Sequence, residues 1–307
     1  MIGIDIGGAN LKIVAGSDVH IHYCPLWRES HLVDILAKYR GTDAAVVMSG
    51  ELADGFFNKI EGITYIVRSV LQIFPDALFY GIDGSFHTEI CPELAAANWV
   101  ASVGYLREIY PNGVLLDIGS TTADIIPLAK FQELQGMTDI LRLQLGYLVY
   151  TGMLRTPIAT LVNSAVIDGV ATPFSTEYFA CSGDAHYILG HITDAEYTTA
   201  TPDGKNVTHE ACLRRLARTV CADLEEIGEL GAVAVAQAFW EAQRTLVCAA
   251  VAKVVADTVP DDVLVGGIGS SMFSSLLGGT DLTAVIGTQA IALPAFAVRE
   301  LAKNHIK

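Results

Sequence analysis

The same short pattern occurs twice in the chain, and this repetition constrains the fold more than any other feature. In each copy an apolar strand carrying one Asp runs into a Gly-containing turn, and a second strand follows; the copies span residues 2–13 and 114–127. The Asp is Asp5 in the first copy and Asp117 in the second. Two such hairpins in one chain indicate two related halves that face one cleft.

The turns of these hairpins have the composition of an anion site. Glycine lets backbone N–H groups approach an anion closely, and Ser and Thr hydroxyls add further donors. A third Gly and Ser stretch follows the apolar residues 263–265. From the three segments we predict phosphate-binding residues, which are Gly7, Gly8, Asn10, Gly119, Ser120, Thr121, Thr122, Gly266, Gly267, Gly269 and Ser270.

The carboxylates and the lysine beside these turns suit a site for a metal and a phosphate. A carboxylate at a strand end can hold a divalent cation that neutralises phosphate charge, so we predict Mg²⁺ on Asp5 and Asp117. Lys12, two residues past the first turn, is predicted to be catalytic by pointing at a phosphate, with water as the alternative. For Gly7 and Gly8 the alternative is a tight turn without a ligand.

Together the three segments resemble the phosphate-1, phosphate-2 and adenosine segments of the actin, sugar-kinase and Hsp70 ATPase superfamily. This resemblance implies an α/β protein with a two-lobed, actin-like ATPase (ribonuclease H-like) fold and a cleft between the lobes. The break at residues 111–113 sets the lobe boundary. We expect an N-terminal lobe of residues 1–112, completed by a C-terminal helix at about 286–307, and a C-terminal lobe of residues 113–285.

Composition narrows the kinds of partner. Of the 307 residues, 51% are hydrophobic and 17% charged, which indicates a well-folded chain. The 19 Lys and Arg against 34 Asp and Glu give a net charge of −15, which argues against a nucleic-acid surface. The longest uncharged runs, 263–280 and 282–298, are interrupted by Gly, Ser or Pro and therefore indicate buried core and no membrane span.

The six cysteines form no CxxC pair, which is typical of small buried residues in a reducing cytosol. Met1 leads directly into a strand that carries Asp5, a pattern that does not resemble a signal peptide. We therefore expect a cytoplasmic protein, and leave a homodimer open.

Several polar residues at strand ends and in loops are candidates for contact with a substrate. Glu51 and Asp54 follow a buried strand at 44–48, where catalytic residues of α/β sheets often lie. Charges that favour a helix N-terminus are the alternative for this pair. Arg155 either meets an anion or is a solvated loop charge. The predicted substrate-binding residues are Asp54, Asp83, Asn98 and Arg155.

Two segment predictions bear on the surroundings of the cleft. Residues 129–143 are predicted to form further strands after the second hairpin. Residues 209–228 are predicted to form a helix capped by Thr208, with its arginines, Arg214, Arg215 and Arg218, on the polar side.

Motifs outside the phosphate turns resemble one particular family over nearly the whole chain. These motifs are residues 49–54, 97–99, 116–122, 150–157, 177–180, 183–184 and 202–204. The family is that of the archaeal and methylotroph proteins linked to tetrahydromethanopterin C1 transfer, related to hydantoinase A and 5-oxoprolinase. Its archaeal members are identified with a synthase of methanofuran biosynthesis.

This resemblance implies a Mg²⁺-dependent transferase with two small-molecule substrates. The phenol oxygen of γ-glutamyltyramine displaces diphosphate from aminomethylfuran-methyl diphosphate and forms an ether. A phenol with a pKa of about 10 needs a base or a nearby cation to react at neutral pH. Glu51 is the first candidate for this catalytic role, and Asp124, which is also a candidate for a group beside the metal, is the second.

Three other functions stay open on the residues alone. An ATP-dependent small-molecule kinase would use the three superfamily segments for a nucleotide. An ATP-dependent hydrolase of the hydantoinase or oxoprolinase type is weakened by the length of 307 residues, which leaves room only for the nucleotide-type core. A nucleotide-sensing interaction protein is the non-enzymatic alternative.

Overall fold

Two mixed β-sheets with the same strand order lie at the centre of the molecule, in a computed structural model that describes residues 1–28 and 30–306. The strands of the first sheet are β1 (Ile2–Ile6), β2 (Asn10–Ala15), β3 (Asp18–Tyr23), β4 (Ala44–Met48), β5 (Leu78–Tyr80) and β6 (Phe86–His87). Those of the second are β7 (Val114–Ile118), β8 (Ala123–Pro127), β9 (Leu148–Val149), β12 (Val263–Gly267) and β13 (Thr280–Asp281). A separate hairpin joins β10 (Ser164–Ile167) to β11 (Val170–Pro173).

The spatial order of the strands repeats between the two sheets. The first sheet runs β3-β2-β1-β4-β5-β6, and the second runs β9-β8-β7-β12-β13. In each sheet the leading strand pairs antiparallel with the next strand and parallel with a later one, β4 or β12. The predicted α/β fold with two lobes built on one plan is therefore confirmed.

Helices cover both faces of each sheet. They are α1 (Leu32–Ala37), α2 (Lys59–Leu71), α3 (Asn98–Leu106), α4 (Phe131–Leu134), α5 (Asp139–Leu145), α6 (Ser182–Ile188), α7 (His209–Arg218), α8 (Leu224–Thr258), α9 (Ser270–Leu277), α10 (Thr283–Ile286) and α11 (Leu293–His305). Short 3₁₀ turns lie at Pro92–Leu94, Leu128–Lys130, Ile158–Thr160 and Gly287–Ala292.

The central core lies between the two sheets and contains α3 and α11. Val47 of the first sheet, Leu115 of the second and Trp99 of α3 belong to one buried cluster. The C-terminal helix lies directly on the first strand, because a Cβ built on Gly3 would be 1.8 Å from the carbonyl oxygen of Ala295. Glycine at position 3 is thus required by this close approach. The lobe boundaries at 112 and 285 stay predictions.

One stretch, Thr283–His305, is long and apolar enough to cross a membrane by length and composition alone. Half of its most apolar window is buried inside the molecule. Leu293, Phe296 and Val298 belong to the core cluster between the sheets, so this stretch has the packing of a core helix.

One segment prediction was wrong, and a second is confirmed only at its start, where Thr208 caps the helix as predicted. Residues 129–143 form a 3₁₀ turn, α4 and most of α5, with no strand among them. The helix predicted at 209–228 ends at Arg218, and α8 begins at Leu224. Arg215 does not lie on a polar face, because it is fully buried and forms ion pairs with Asp184 and Asp203.

Candidate active site

A cavity of about 730 Å³ opens between the two repeated hairpins, and residues of both line it. Asp5 of β1 and Asp117 of β7 both face this cavity. The turn residues that line it with them are Gly7, Gly8, Asn10, Gly119, Ser120, Thr121 and Thr122. The cleft anticipated from the repeat is therefore present, with one acidic strand on each side.

The two turns have the same backbone geometry. The N–H of Gly7 donates to the carbonyl of Asn10 at 3.0 Å, and the N–H of Gly119 donates to that of Thr122 at 2.9 Å. The positions of a Cβ on Gly8 and on Gly119 are 4.0 Å and 3.8 Å from the nearest described protein atom, and neither residue adopts a left-handed backbone. Packing therefore does not require glycine at these two positions, and their phosphate-binding role stays a prediction.

Burial dominates the electrostatics of the acidic pair. It raises the pKa of Asp5 to about 6, with Lys12 acting against the shift and Asp124 adding to it. Burial likewise raises the pKa of Asp117 to about 7; Lys12 lowers it, and Asp124 and Asp5 add to the increase. The carboxyls therefore lie close enough to repel one another, and a bound cation would relieve that repulsion.

Asp124 is held by a buried arginine. The guanidinium of Arg142 donates to Asp124 and, at 2.7 Å, to Asp139, and it stacks over the ring of Trp99 at 4.9 Å. Burial raises the pKa of Asp124, and Arg142 acts against this shift. The carboxylate thus has a buried cationic partner, and its catalytic role stays a prediction.

Arg155 lines the cavity together with Trp27. Its guanidinium carbon lies 4.7 Å from the centre of the Trp27 ring, and its Nη1 donates to Thr121 Oγ1 at 3.4 Å. This contact joins the loop after β3 to the segment after β9. Arg155 therefore faces the cavity, and its contact with an anion stays a prediction.

A buried polar network supports the second turn from behind. The backbone N–H groups of Leu154 and Arg155 each donate to the carbonyl of Ser120 at 3.0 Å. Gln243 of α8 donates to the carbonyl of Gly152 at 3.0 Å. Since the amide nitrogen of Gln243 is the donor in that bond, Gln243 Oε1 accepts a hydrogen bond from His186 Nε2–H at 2.8 Å.

Glu51 lines the cavity and follows β4 in the chain. The residue is 2% exposed, and its Oε2 has no hydrogen-bond partner among the described residues. Burial raises its pKa, and Lys59 is among the groups that lower it. Asp54 and Asn98 line the same cavity.

Five predicted site residues do not line the cavity. Asp83 is exposed, and one of its carboxylate oxygens lies 3.1 Å from His87 Nε2. Gly266, Gly267, Gly269 and Ser270 are buried. A Cβ on Gly267 would be 2.7 Å from Asp117 Oδ1, and this glycine has a φ of +83°. Glycine at position 267 is thus required by its backbone conformation and its close neighbours, while the phosphate role of the third glycine segment stays a prediction.

Sequence reasoning missed several residues that line the cavity. They are Trp27, Ser49, Lys59, Asp139, Ile140, Arg142, Leu143, Leu148 and Tyr150. Most of them come from α5, β9 and the loop after β3, which no motif marked. In α5 four apolar residues surround a single arginine, Arg142, which is the buried residue of the helix. A lone arginine in so apolar a segment is the sequence signal that could have pointed to a buried charge.

The repeated sheet order and the acidic cavity define a two-lobed α/β protein of the actin-like ATPase fold. A solved structure of nucleotide-free acetone carboxylase has this fold, with a TM-score of 0.50, 10% identity, and coverage of 97% of this chain and 69% of that chain. The model of the hydantoinase/oxoprolinase family matches residues 43–303. The chain belongs to this family.

Two relatives are similar in sequence to this chain and narrow the family further. A Methanocaldococcus jannaschii protein is 34% identical over 100% of this chain and 98% of its own length. A Methanococcus vannielii protein is 31% identical over 65% of this chain and 95% of its own length. Both are named (4-{4-[2-(γ-L-glutamylamino)ethyl]phenoxymethyl}furan-2-yl)methanamine synthase. The resemblance to a family of methanofuran synthases is confirmed.

Proposed function

We propose that this chain is a transferase that joins a furan-methyl diphosphate to γ-glutamyltyramine and releases diphosphate. The observation that carries the proposal is that two repeated hairpins bring Asp5 and Asp117 to one cavity. The name of the relative that is 34% identical along the full chain supports this reaction over a kinase or a hydrolase.

In the proposed reaction the phenol oxygen attacks the methylene carbon that carries the diphosphate. The ether C–O bond forms while the C–O bond to diphosphate breaks, and the bonding electron pair leaves with the diphosphate. The phenol proton passes to a base or to solvent. Negative charge grows on the leaving group, so hydrogen-bond donors fixed beside it lower the barrier.

The chain's own donors support this role. The turns around Gly8 and Gly119 leave free space for close approach, and Lys12 and Arg155 line the same cavity. Thr121 and Thr122 add hydroxyl groups. We propose that these groups bind and orient the diphosphate in the substrate and then in the product.

We propose Mg²⁺ as the cofactor, with Asp5 and Asp117 as its ligands. Asp5 Oδ1 is buried without a hydrogen-bond partner in the described part of the chain, which suits a metal ligand. The described residues contain no cluster of three or more His, Cys, Asp or Glu with metal-binding geometry. Mg²⁺ commonly takes one or two carboxylates plus water and phosphate oxygens. When bound, it neutralises part of the diphosphate charge.

The conventional kinase reading is less well supported. A nucleotide would need the third glycine segment, and Gly266, Gly267 and Ser270 are buried and are not among the residues that line the cavity. This burial favours a site built for a diphosphate held by two turns.

The decisive experiment is incubation of the purified protein with the furan diphosphate, γ-glutamyltyramine and Mg²⁺. We expect mass spectrometry to detect the ether product and free diphosphate in equal amounts. Absence of product from intact substrates would refute the proposal. Turnover of a nucleoside triphosphate under the same conditions would favour a kinase.

Asp117→Ala tests the metal assignment in the same assay. We expect the Mg²⁺-dependent activity to disappear, while the circular dichroism spectrum stays that of the folded protein. Unchanged activity would show that Asp117 is not a metal ligand.

We also propose a cytoplasmic location and no partner beyond small molecules, with a homodimer still open. All six cysteines are free, which fits a reducing compartment. Cell fractionation against a membrane marker tests the location.

A further inference from the structure

The lining of the cavity is more acidic than a diphosphate site requires. Its carboxylates are Asp5, Glu51, Asp54, Asp117, Asp124 and Asp139, and its cations are Lys12, Lys59, Arg142 and Arg155. Arg142 is already paired with two of the carboxylates. A diphosphate brings more negative charge, so the ligands must also supply positive charge.

Glu51 is a buried carboxylate that the described part of the protein leaves partly unpaired. It is 2% exposed, yet Oε2 has no hydrogen-bond partner and no described Lys or Arg forms an ion pair with it. A buried carboxylate without a partner costs free energy unless something pairs with it. Because Glu51 lines the cavity, a ligand can supply that partner.

The backbone around Glu51 is held tightly. A Cβ on Gly62 of α2 would be only 2.0 Å from the Glu51 carbonyl oxygen, so the two segments are in direct contact. Ser49 N–H donates to the Ile6 carbonyl at 3.0 Å, which ties the same segment to the first hairpin. The backbone that carries this carboxylate is therefore fixed before a ligand arrives, which suits a recognition group.

We propose that Glu51 binds a primary ammonium group of a substrate, an inference that rests on the proposed transferase function. The name of the relatives' product includes a methanamine on the furan and a γ-glutamyl group, which carries an α-amino group. Either ammonium group could donate a hydrogen bond to the unpaired Glu51 oxygen and supply the opposite charge.

This role replaces the prediction of Glu51 as the base for the phenol. A carboxylate that is paired with an ammonium is stabilised in its charged form, and it becomes a weaker proton acceptor. Glu51 then acts in substrate selection, since an analogue without the ammonium leaves a buried charge unpaired.

The test combines one substitution with two substrate analogues. In one analogue the furan aminomethyl group is a methyl group, and in the other the γ-glutamyl group is a glutaryl group. For the wild-type protein we expect one of these changes to lower kcat/KM by about 100-fold or more, mainly through KM. The affected analogue identifies which substrate carries the ammonium.

In Glu51→Gln the kcat/KM of the same analogue should be only a fewfold below that of the natural substrate, because the buried charge is gone. Calorimetric binding of each intact substrate and its analogue gives the same comparison if the variant is slow. Asp76→Asn removes an exposed carboxylate of the same lobe and serves as the control, which should keep the wild-type discrimination.

Three results would overturn the inference. An equal fall in kcat for all substrates in Glu51→Gln would instead assign the base role. If product still forms and each analogue lowers kcat/KM by the same factor in Glu51→Gln as in the wild-type protein, the ammonium site is overturned and the transferase function is not. No product from the wild-type protein with intact substrates would overturn the transferase function together with it.

Discussion

Glycine 119 shows at the scale of one residue how packing and ligand binding can be separated. The nearest described protein atom to a Cβ on Gly119 is 3.8 Å away. We expect Gly119→Ala to change the free energy of unfolding by less than about 1 kcal/mol. The KM for the diphosphate substrate should rise at least about tenfold, because the methyl group enters the space proposed for the phosphate.

Gly3→Ala is the matched control for this prediction. Its Cβ would be 1.8 Å from the Ala295 carbonyl oxygen, so overpacking should cost about 2 kcal/mol or more. Urea unfolding and initial rates measure both effects. A Gly119→Ala variant with normal KM would contradict the phosphate role of this turn.

Asp117 gives a second prediction at this scale, for the metal-free protein. Its pKa is about 7 in the folded protein against an ordinary value of 3.8. The folded protein therefore holds an extra proton between these values, so stability falls as pH rises from about 4 to about 7. Asp117→Asn removes this contribution and should raise the unfolding free energy at pH 8 by about 1–3 kcal/mol.

Urea unfolding of the wild-type protein and of Asp117→Asn at pH 5 and pH 8, with a chelator present, measures the effect. The difference between the two proteins should be larger at pH 8. The same difference at both pH values would contradict the raised pKa.

At the scale of the element, α5 is a helix whose exposure pattern is inverted. Ile140, Leu141, Leu143 and Leu145 are exposed, whereas Arg142 is 3% exposed. The helix is attached to β8 by the ion pair of Arg142 with Asp124. Packing of apolar side chains contributes little to this attachment. The buried ion pair between Arg142 and Asp124 should therefore determine whether α5 stays packed against β8.

Arg142→Met should therefore lower the free energy of unfolding by about 3–5 kcal/mol, because it leaves Asp124 buried without its partner. The double variant Arg142→Met with Asp124→Asn should recover a large part of that loss. Chemical denaturation of the single and double variants completes the cycle. Strictly additive losses would contradict a direct pair.

At the scale of the whole molecule, one ligand is proposed to bridge both lobes. Mg²⁺ together with diphosphate should raise the melting temperature of a single unfolding transition. At a ligand concentration of 100 times Kd the free energy of unfolding should increase by about 2.7 kcal/mol. Asp5→Asn and Asp117→Asn should each remove the shift, since each withdraws one lobe's ligand. Differential scanning calorimetry with diphosphate alone and Mg²⁺ alone provides the controls.

An equal shift by a nucleoside triphosphate would contradict a site specialised for diphosphate. Two separate transitions, of which only one responds, would contradict a ligand shared by the lobes.

The fold and the two turns were predictable because their signals are local. An apolar strand, an Asp and a glycine turn lie within a dozen residues of one another, and the pattern repeats at 114–127. Backbone chemistry alone then indicates an anion site. The relation between Asp5 and Asp117 followed from the repeat, and the structure brings both to one cavity.

Other parts of the site depended on tertiary structure, because they come from distant segments. Nothing local shows that Arg142 turns inward to Asp124, that Trp27 stacks on Arg155, or that Gln243 reaches the carbonyl of Gly152. The third glycine segment has the composition of a phosphate turn, yet its Gly267 packs against Asp117. Composition determined which groups could bind an anion, and only the packing of the two lobes decided which of them reach it.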